Sequence, residues 1–269
     1  MVDPYRTANR ALWDEWTAIH VGSAFYDVDS FRKGGLRVRP QEIEDLGDVR
    51  GKTLLHLQCH FGLDTLSWAR LGARVTGVDF SERAIEAARA LAAETGLEAR
   101  FVCAELGELP RVLDERFDVV YTSRGVLWWL PDLGGWARVI AHHLKPGGVF
   151  YINESHPVHA TLDDGGTTEL RVAFPYFTRP EPQRFPVTGS YADRTAQVAS
   201  TSEYGWCHGM AEIVTALIGA GLQIDLFREN PWLDWPQPYL VEHADGTWRL
   251  PPGTAGELPL SFSLRARRP

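Results

Sequence analysis

The sequence predicts an α/β protein built on a largely parallel sheet with helices on both faces. Three observations lead there. Residues 53–79, TLLHLQCHFGLDTLSWARLGARVTGVD, read as an apolar run, a turn, a helical stretch and a second apolar run that ends on a carboxylate. Apolar, β-branched runs then keep alternating with helical stretches as far as about residue 154. After residue 208 a helical stretch and two more strand-like runs follow. Strands separated by helices at this spacing pair in parallel, because each crossover helix must pack back on the sheet.

In chain order, residues 4–19 form a helix with Leu12, Trp16 and Ile19 on one face and Trp13 at its border. Residues 20–39 are expected to be irregular, broken by Gly22, Gly34 and Gly35. Pro40 opens a short helix that Gly47 stops. Strand one covers about 53–58, a helix 62–71 and strand two 73–79. Ser81 is placed to cap a helix whose Ala84, Ile85, Ala88, Leu91 and Ala92 share a face, with Gly96 as its stop. Strands follow at 99–104 and 117–123. Asp132 caps a helix ending near Leu144, and strand five covers 149–154. Residues 156–205 are rich in Pro, Gly, Thr and Asp but carry several aromatics, so they read as an insertion or lid. Within them LRVAF and TAQVAST look strand-like. A helix at 209–221 and strands at 222–230 and 258–266 complete the chain, joined by a Pro- and Trp-rich connection at 231–257.

With 269 residues, 44% of them hydrophobic, one sizeable domain is expected. Its parts are an N-terminal cap (1–50), a cofactor-binding core (51–155), a lid (156–207) and a C-terminal helix with two strands (208–269). A net charge of −8 without a basic tract argues against nucleic-acid partners. No run approaches the roughly 18 apolar residues of a membrane span. The polar N-terminus and the sparse, odd set of Cys59, Cys103 and Cys207 suit a reduced, cytoplasmic setting. Tryptophans 13, 16, 128, 129, 206, 232 and 235 fall mostly outside the strands and suggest an aromatic-lined pocket.

A strand-turn-helix-strand unit ending in an acid is a cradle for a nucleoside-bearing cofactor. Asp79 is placed to accept hydrogen bonds from ribose hydroxyls. The amides of residues 58–62 are expected to face the ligand in a slightly widened turn. With no glycine at 58 or 60, those residues are expected to keep ordinary φ values or to bear strain. His56, Cys59 and His60 have no second ligand pair, so no metal is expected.

These motifs resemble those of the class I S-adenosylmethionine-dependent methyltransferases over about residues 50–155, and more loosely after 208. The family's first turn reads acidic-x-Gly-x-Gly-x-Gly, and the matching positions here are His56, Gln58, His60 and Gly62. VTGVDFS is similar to the second-strand motif, which implies Asp79 on the ribose and Phe80 against the adenine. FVCAELGEL resembles the third and implies Ala104, Glu105 and Leu106 around the adenine. FDVVYTSRGVLWWLPD resembles the fourth and implies Ser123 and Arg124 near the methionine end. LKPGGVFYINE is similar to the fifth-strand turn. The resemblance implies a Rossmann-like, seven-stranded, mostly parallel sheet with one antiparallel strand. It also implies S-adenosyl-L-methionine as cofactor, with Gln58, Cys59 and Gly62 in the binding turn, and methyl transfer to a small molecule.

Arg124 is a candidate partner for the cofactor carboxylate or an acidic substrate. His156 and His208 are candidate general bases. Tyr26, Trp128, Trp129 and Tyr191 are candidate pocket residues, with one tryptophan of the pair expected in the core and the other facing the pocket. Competing readings are a non-catalytic cofactor-binding or regulatory protein and a nicotinamide-dependent oxidoreductase, the latter disfavoured by the missing GxGxxG. The acceptor atom, the pathway and the oligomeric state stay open.

Overall fold

The computed structural model describes residues 3–163, 166, 168–254 and 256–269. Helix α1 (Pro4–Gly22) starts where Asp3 accepts the N–H groups of Tyr5 and Arg6 and Pro4 sets the first turn. Two short helices follow, α2 (Val28–Arg32) and α3 (Pro40–Leu46). The sheet then begins with β1 (Thr53–Leu57), α4 (Leu63–Arg70), β2 (Arg74–Asp79), α5 (Glu82–Thr95) and β3 (Ala99–Cys103). It continues through α6 (Leu109–Val112), β4 (Phe117–Thr122), α7 (Leu133–His143) and β5 (Leu144–Ser155). A small antiparallel hairpin of β6 (Gln183–Pro186) and β7 (Ser202–Gly205) precedes α8 (Met210–Gly219) and β8 (Gln223–Asn230). The two-residue strands β9 (Val241–Glu242) and β10 (Trp248–Arg249) pair with each other, and β11 (Ser261–Arg267) ends the fold.

The main sheet has seven strands in the order β3-β2-β1-β4-β5-β11-β8. Pairs β3–β2, β2–β1, β1–β4 and β4–β5 are parallel, and β11 runs antiparallel to both β5 and β8. This is the Rossmann-like arrangement with one reversed strand. Alternate residues of β1 enter different layers. Leu55 and Leu57 pack with Phe150, Ile152 and Phe262 under the Trp136 helix, whereas Leu54 packs with Trp68, Tyr121 and Tyr151 on the other face. Ser81 Oγ accepts the Ala84 N–H, and Gly96 closes α5 in the left-handed region.

Several expectations are corrected. The stretch 20–39 is not wholly irregular: α1 runs on to Gly22, and Asp27 caps α2 by accepting the Ser30 N–H. Buried Val28 and Phe31 give α2 its reason to form, by packing into the cluster of Ile85 and Leu91. LRVAF and TAQVAST are not strands. Val172 makes one isolated bridge to Leu162, and the hairpin lies at 183–186 and 202–205 instead.

Candidate functional site

The parallel strands end along one edge, and the residues that follow them line a single cavity of 1150 Å³. Gln58 follows β1, Asp79 ends β2, Ala104 follows β3, Ser123 follows β4 and Ser155 ends β5. This is where open α/β sheets take ligands. The volume exceeds the roughly 300–1,000 Å³ of ordinary ligand pockets, which leaves room for two molecules side by side.

The first turn differs from expectation. Gln58 and His60 both take positive φ, 57° and 50°. They occupy the left-handed conformation that glycine adopts without strain, so the turn keeps its shape and pays in backbone energy. Gly62, at φ 82°, allows no side chain: a Cβ there would stand 2.8 Å from the Phe101 ring. Nor do all the turn amides face the cavity. Cys59 N–H donates to Val78 O (2.8 Å), His60 N–H to Asp79 Oδ2 (2.8 Å) and Gly62 N–H to Cys59 O (2.9 Å). The turn is therefore held by its own hydrogen bonds. Gln58 Nε2 donates to Val126 O (3.2 Å), while its Oε1 is buried and has no partner among the described residues. His56, beneath the turn, is bonded to Thr65 Oγ1 (2.8 Å) and Ser123 Oγ (3.1 Å).

Asp79 lines the cavity at 8% exposure. Its Oδ1 accepts the Ser81 N–H at 3.0 Å while Oδ2 takes that of His60. Burial raises its pKa to about 6, against the lowering effect of these N–H groups. Beside it, Arg10 pairs with Glu105 at 2.6 Å and lies over the Phe80 ring. Asp14 accepts from Ser81 Oγ, which ties α1 to this end of the cavity.

Glu154, 3% exposed, holds the loop after β4. Its carboxylate accepts the N–H groups of Gly125 (2.6 Å), Val126 (2.8 Å), Leu127 (3.1 Å) and Ser155 (2.6 Å). The loop presents Trp128 and Trp129, and both line the cavity; neither is consigned to the core. Trp128 lies against Gly205, where a Cβ would fall inside its ring. Arg124 also lines the cavity, but its guanidinium is taken by Glu42 and Asp234, with Asp64 at 3.8 Å. The expectation that it serves a ligand carboxylate is corrected by those charges. Arg37 is different: its guanidinium donates to Phe25 O (3.2 Å) and forms no ion pair among the described residues.

Helix α1 and residues 186–208 close the cavity together. Trp16 Nε1–H donates to Gly189 O (2.8 Å), and Asn9 bonds both backbone groups of Tyr204. His20 joins His60 Nε2 (2.8 Å) to Ser190 Oγ (2.6 Å), and the hydroxyls of Tyr26 and Tyr191 meet. Desolvation lowers the His20 pKa to about 3, so this ring is neutral near pH 7.

The candidate bases fare differently. His156 does not line the cavity: its Nδ1 accepts the Val158 N–H (3.0 Å) and its Nε2 faces Glu229 (3.0 Å). The turn after β5 rotates it outward, which corrects its candidacy. His208 does line the cavity, but Nε2 is bonded to Leu130 O (2.7 Å) and Nδ1 faces Glu212. Of the tryptophans, Trp232 stands apart and packs on Arg39. The remaining sequence candidates, Gln58, Cys59, Gly62, Asp79, Phe80, Ala104, Glu105, Leu106, Ser123, Arg124, Tyr26, Trp128, Trp129 and Tyr191, all line it. Sequence reasoning missed Arg37, His159 and Glu154. Only Glu154 carried a signal, as the acid ending strand five. Among the described residues no cluster of three or more His, Cys, Asp or Glu side chains is placed to hold a metal, and no helix is long and apolar enough to cross a membrane.

Residues 55–152 match a family model described as a methyltransferase domain. The ubiquinone biosynthesis O-methyltransferase of Serratia proteamaculans is 32% identical over 136 residues, 49% of this chain and 56% of that protein. The enzyme of the same name from Idiomarina loihiensis is 35% identical over 137 residues, 49% and 56% of the two chains. The chain thus spans about half the length of the curated relatives it matches. A solved S-adenosylmethionine-dependent methyltransferase from Mesorhizobium loti shares the fold with a TM-score of 0.59 at 21% identity, over 88% of this chain and all of that one. Residues 55–152 thus carry a match to a methyltransferase domain, and the sheet order 3-2-1-4-5 followed by an antiparallel pair gives the chain the fold of the solved S-adenosylmethionine-dependent methyltransferases.

Proposed function

We propose that this chain moves a methyl group from S-adenosyl-L-methionine to an oxygen of a small-molecule acceptor. The observation that carries the reading is the shared hydrogen bond between the first turn and the second-strand acid, His60 N–H to Asp79, at the wall of a cavity large enough for two molecules. Each Asp79 oxygen already accepts one N–H and keeps a lone pair for a ribose hydroxyl. Two further groups fit the cofactor's amino-acid end. The orphaned Oε1 of Gln58 suits its ammonium, and Arg37 suits its carboxylate. Phe80 and Leu106 offer apolar faces for adenine, with Ala104 and Glu105 beside them.

When bound, the cofactor supplies an activated methyl group on a positively charged sulfur. The protein's part is alignment and exclusion of water. Trp13, Trp16 and Trp129, packed edge to face, wall the cavity, and aromatic faces there favour a cationic centre. Helix α1 and the 186–208 segment act as the cover. The O-methyltransferase names of the relatives support oxygen as the acceptor atom. The free cysteines suit a cytoplasmic enzyme.

Calorimetry tests the reading. S-adenosylhomocysteine is expected to bind wild-type protein with micromolar affinity, and Asp79→Ala is expected to abolish the heat. The absence of heat with both S-adenosylmethionine and S-adenosylhomocysteine refutes the reading.

A further inference from the structure

His159 opens a short 3-10 turn, His159–Thr161, just past β5. Backbone bonds fix that turn: Ala160 N–H to His156 O (3.1 Å), Thr161 N–H to Val158 O (3.1 Å) and Leu162 N–H to His159 O (3.0 Å). Leu162 anchors it in the cluster of Leu233, Tyr239, Leu240 and Leu260. His159 lines the cavity, with Trp235 and Tyr239 as ring neighbours at 6.2 and 6.5 Å. Both of its nitrogens are shut from solvent, and neither has a hydrogen-bond partner among the described residues.

The other buried histidines contrast with this. His20 and His56 use both nitrogens, His60 one through His20, His143 one through Glu115 O, and His208 one through Leu130 O. A ring that only filled space would be better served by an apolar side chain, since unpaired buried polar atoms are costly. Burial, with His156 nearby, holds the His159 pKa at about 4, so near pH 7 the ring is neutral. It then offers one N–H and one lone pair.

We propose that His159 is a catalytic residue that binds and deprotonates the hydroxyl of an uncharged, planar acceptor lodged against Trp235 and Tyr239. The inference rests on the methyl-transfer reading. The hydroxyl oxygen forms the new bond to the methyl carbon, and the carbon–sulfur bond breaks with its electron pair remaining on sulfur. The hydroxyl proton passes to the free imidazole nitrogen, which later returns it to solvent. A neutral ring offers no counter-charge to an anionic acceptor, its lone pair needs a hydroxyl proton to accept, and the aromatic neighbours favour a flat acceptor.

The test uses full-length protein saturated with S-adenosylhomocysteine and two probes, 4-methylphenol and 4-methylanisole, in which the hydroxyl is masked. Wild type is expected to bind the phenol at least fivefold tighter than the anisole. His159→Phe is expected to erase that preference, leave S-adenosylhomocysteine affinity within twofold and not lower the melting temperature. With S-adenosylmethionine, His159→Gln is expected to keep phenol binding yet lose at least a hundredfold in turnover, because an amide cannot carry the proton. Failure of wild type to bind the phenol, equal binding of both probes, or an unchanged preference in His159→Phe overturns the proposal. So does undiminished turnover in His159→Gln. Loss of S-adenosylhomocysteine binding by wild type is a separate result that defeats the methyl-transfer reading itself.

Discussion

At Asp79, burial pushes the carboxyl up to about 6 while the N–H groups of Ser81, His60 and Phe80 pull it down, and Asp14 adds to the upward push. Ribose hydroxyls donate to the ionised form. At a pKa of about 6 roughly nine-tenths of the groups are ionised at pH 7 and a tenth at pH 5. S-adenosylhomocysteine affinity is therefore expected to fall about tenfold between pH 7 and pH 5, measured by calorimetry, and to stay flat with pH in Asp79→Asn. Arg37 and Arg124 separate by the same logic of neighbours. Arg37→Ala is expected to weaken S-adenosylmethionine binding about tenfold with little change in melting temperature. Arg124→Ala is expected to cost about 3–5 kcal/mol of stability in a denaturant titration, because it leaves the fully buried Glu42 carboxylate with its main counter-charge removed. The sequence showed both arginines, and nothing local distinguished the one surrounded by acids from the one without an ion pair. Glu42 and Asp234 lie far from residue 124 in the chain, and only folding brings them to it.

Among the elements, the loop after β4 depends on the end of β5. Glu154→Ala strands the amide of Gly125 and the buried amides of Val126 and Leu127, and is expected to destabilise the protein by about 3 kcal/mol. It is also expected to loosen Trp128 and Trp129, read as lost near-ultraviolet circular dichroism. The Glu154→Gln variant should recover only part, since an amide presents one acceptor oxygen. The β1 turn shows how far local rules reach. Gly62 was legible as the glycine at the helix opening, and its contact with Phe101 gives the reason. The positive φ of Gln58 and His60 was not legible, because non-glycine residues normally avoid it and only tertiary bonds to Val126, His20 and Asp79 hold it in place. Helix α2 escaped notice for a related reason. Its five residues are too few to show periodicity, and burial of Val28 and Phe31 decides it.

Over the whole molecule, His20, His56, His60, His143, His156 and His159 all have pKa values lowered mainly by burial. Such groups take up protons in the unfolded chain first. Their contribution to stability is complete above about pH 6.5 and is lost as pH falls toward the depressed values. Asp79, Glu42 and Glu154, whose pKa values are raised, act in the opposite direction, but they are fewer. The melting temperature is therefore expected to fall from pH 7 to pH 5, and a flat or rising trend would contradict this balance. Cofactor binding should act the other way. A hundredfold excess over Kd adds about 2.7 kcal/mol, or roughly 5–10 °C for a chain of this size.

The sequence by itself determined the order of the main-sheet strands and of the long helices between them, the caps at Ser81 and Asp132, the pocket's aromatic character and the acid at the end of the second strand. Those features follow from periodicity and from bonds between residues a few positions apart. The tertiary structure alone decided which charges cancel, which histidines reach the cavity and where residues 168–208 rest. Hydrogen bonds such as Trp16 to Gly189 and His20 to Ser190 join segments that no local pattern relates. Whether a polar side chain is free or committed depends on partners that only the completed fold brings within reach.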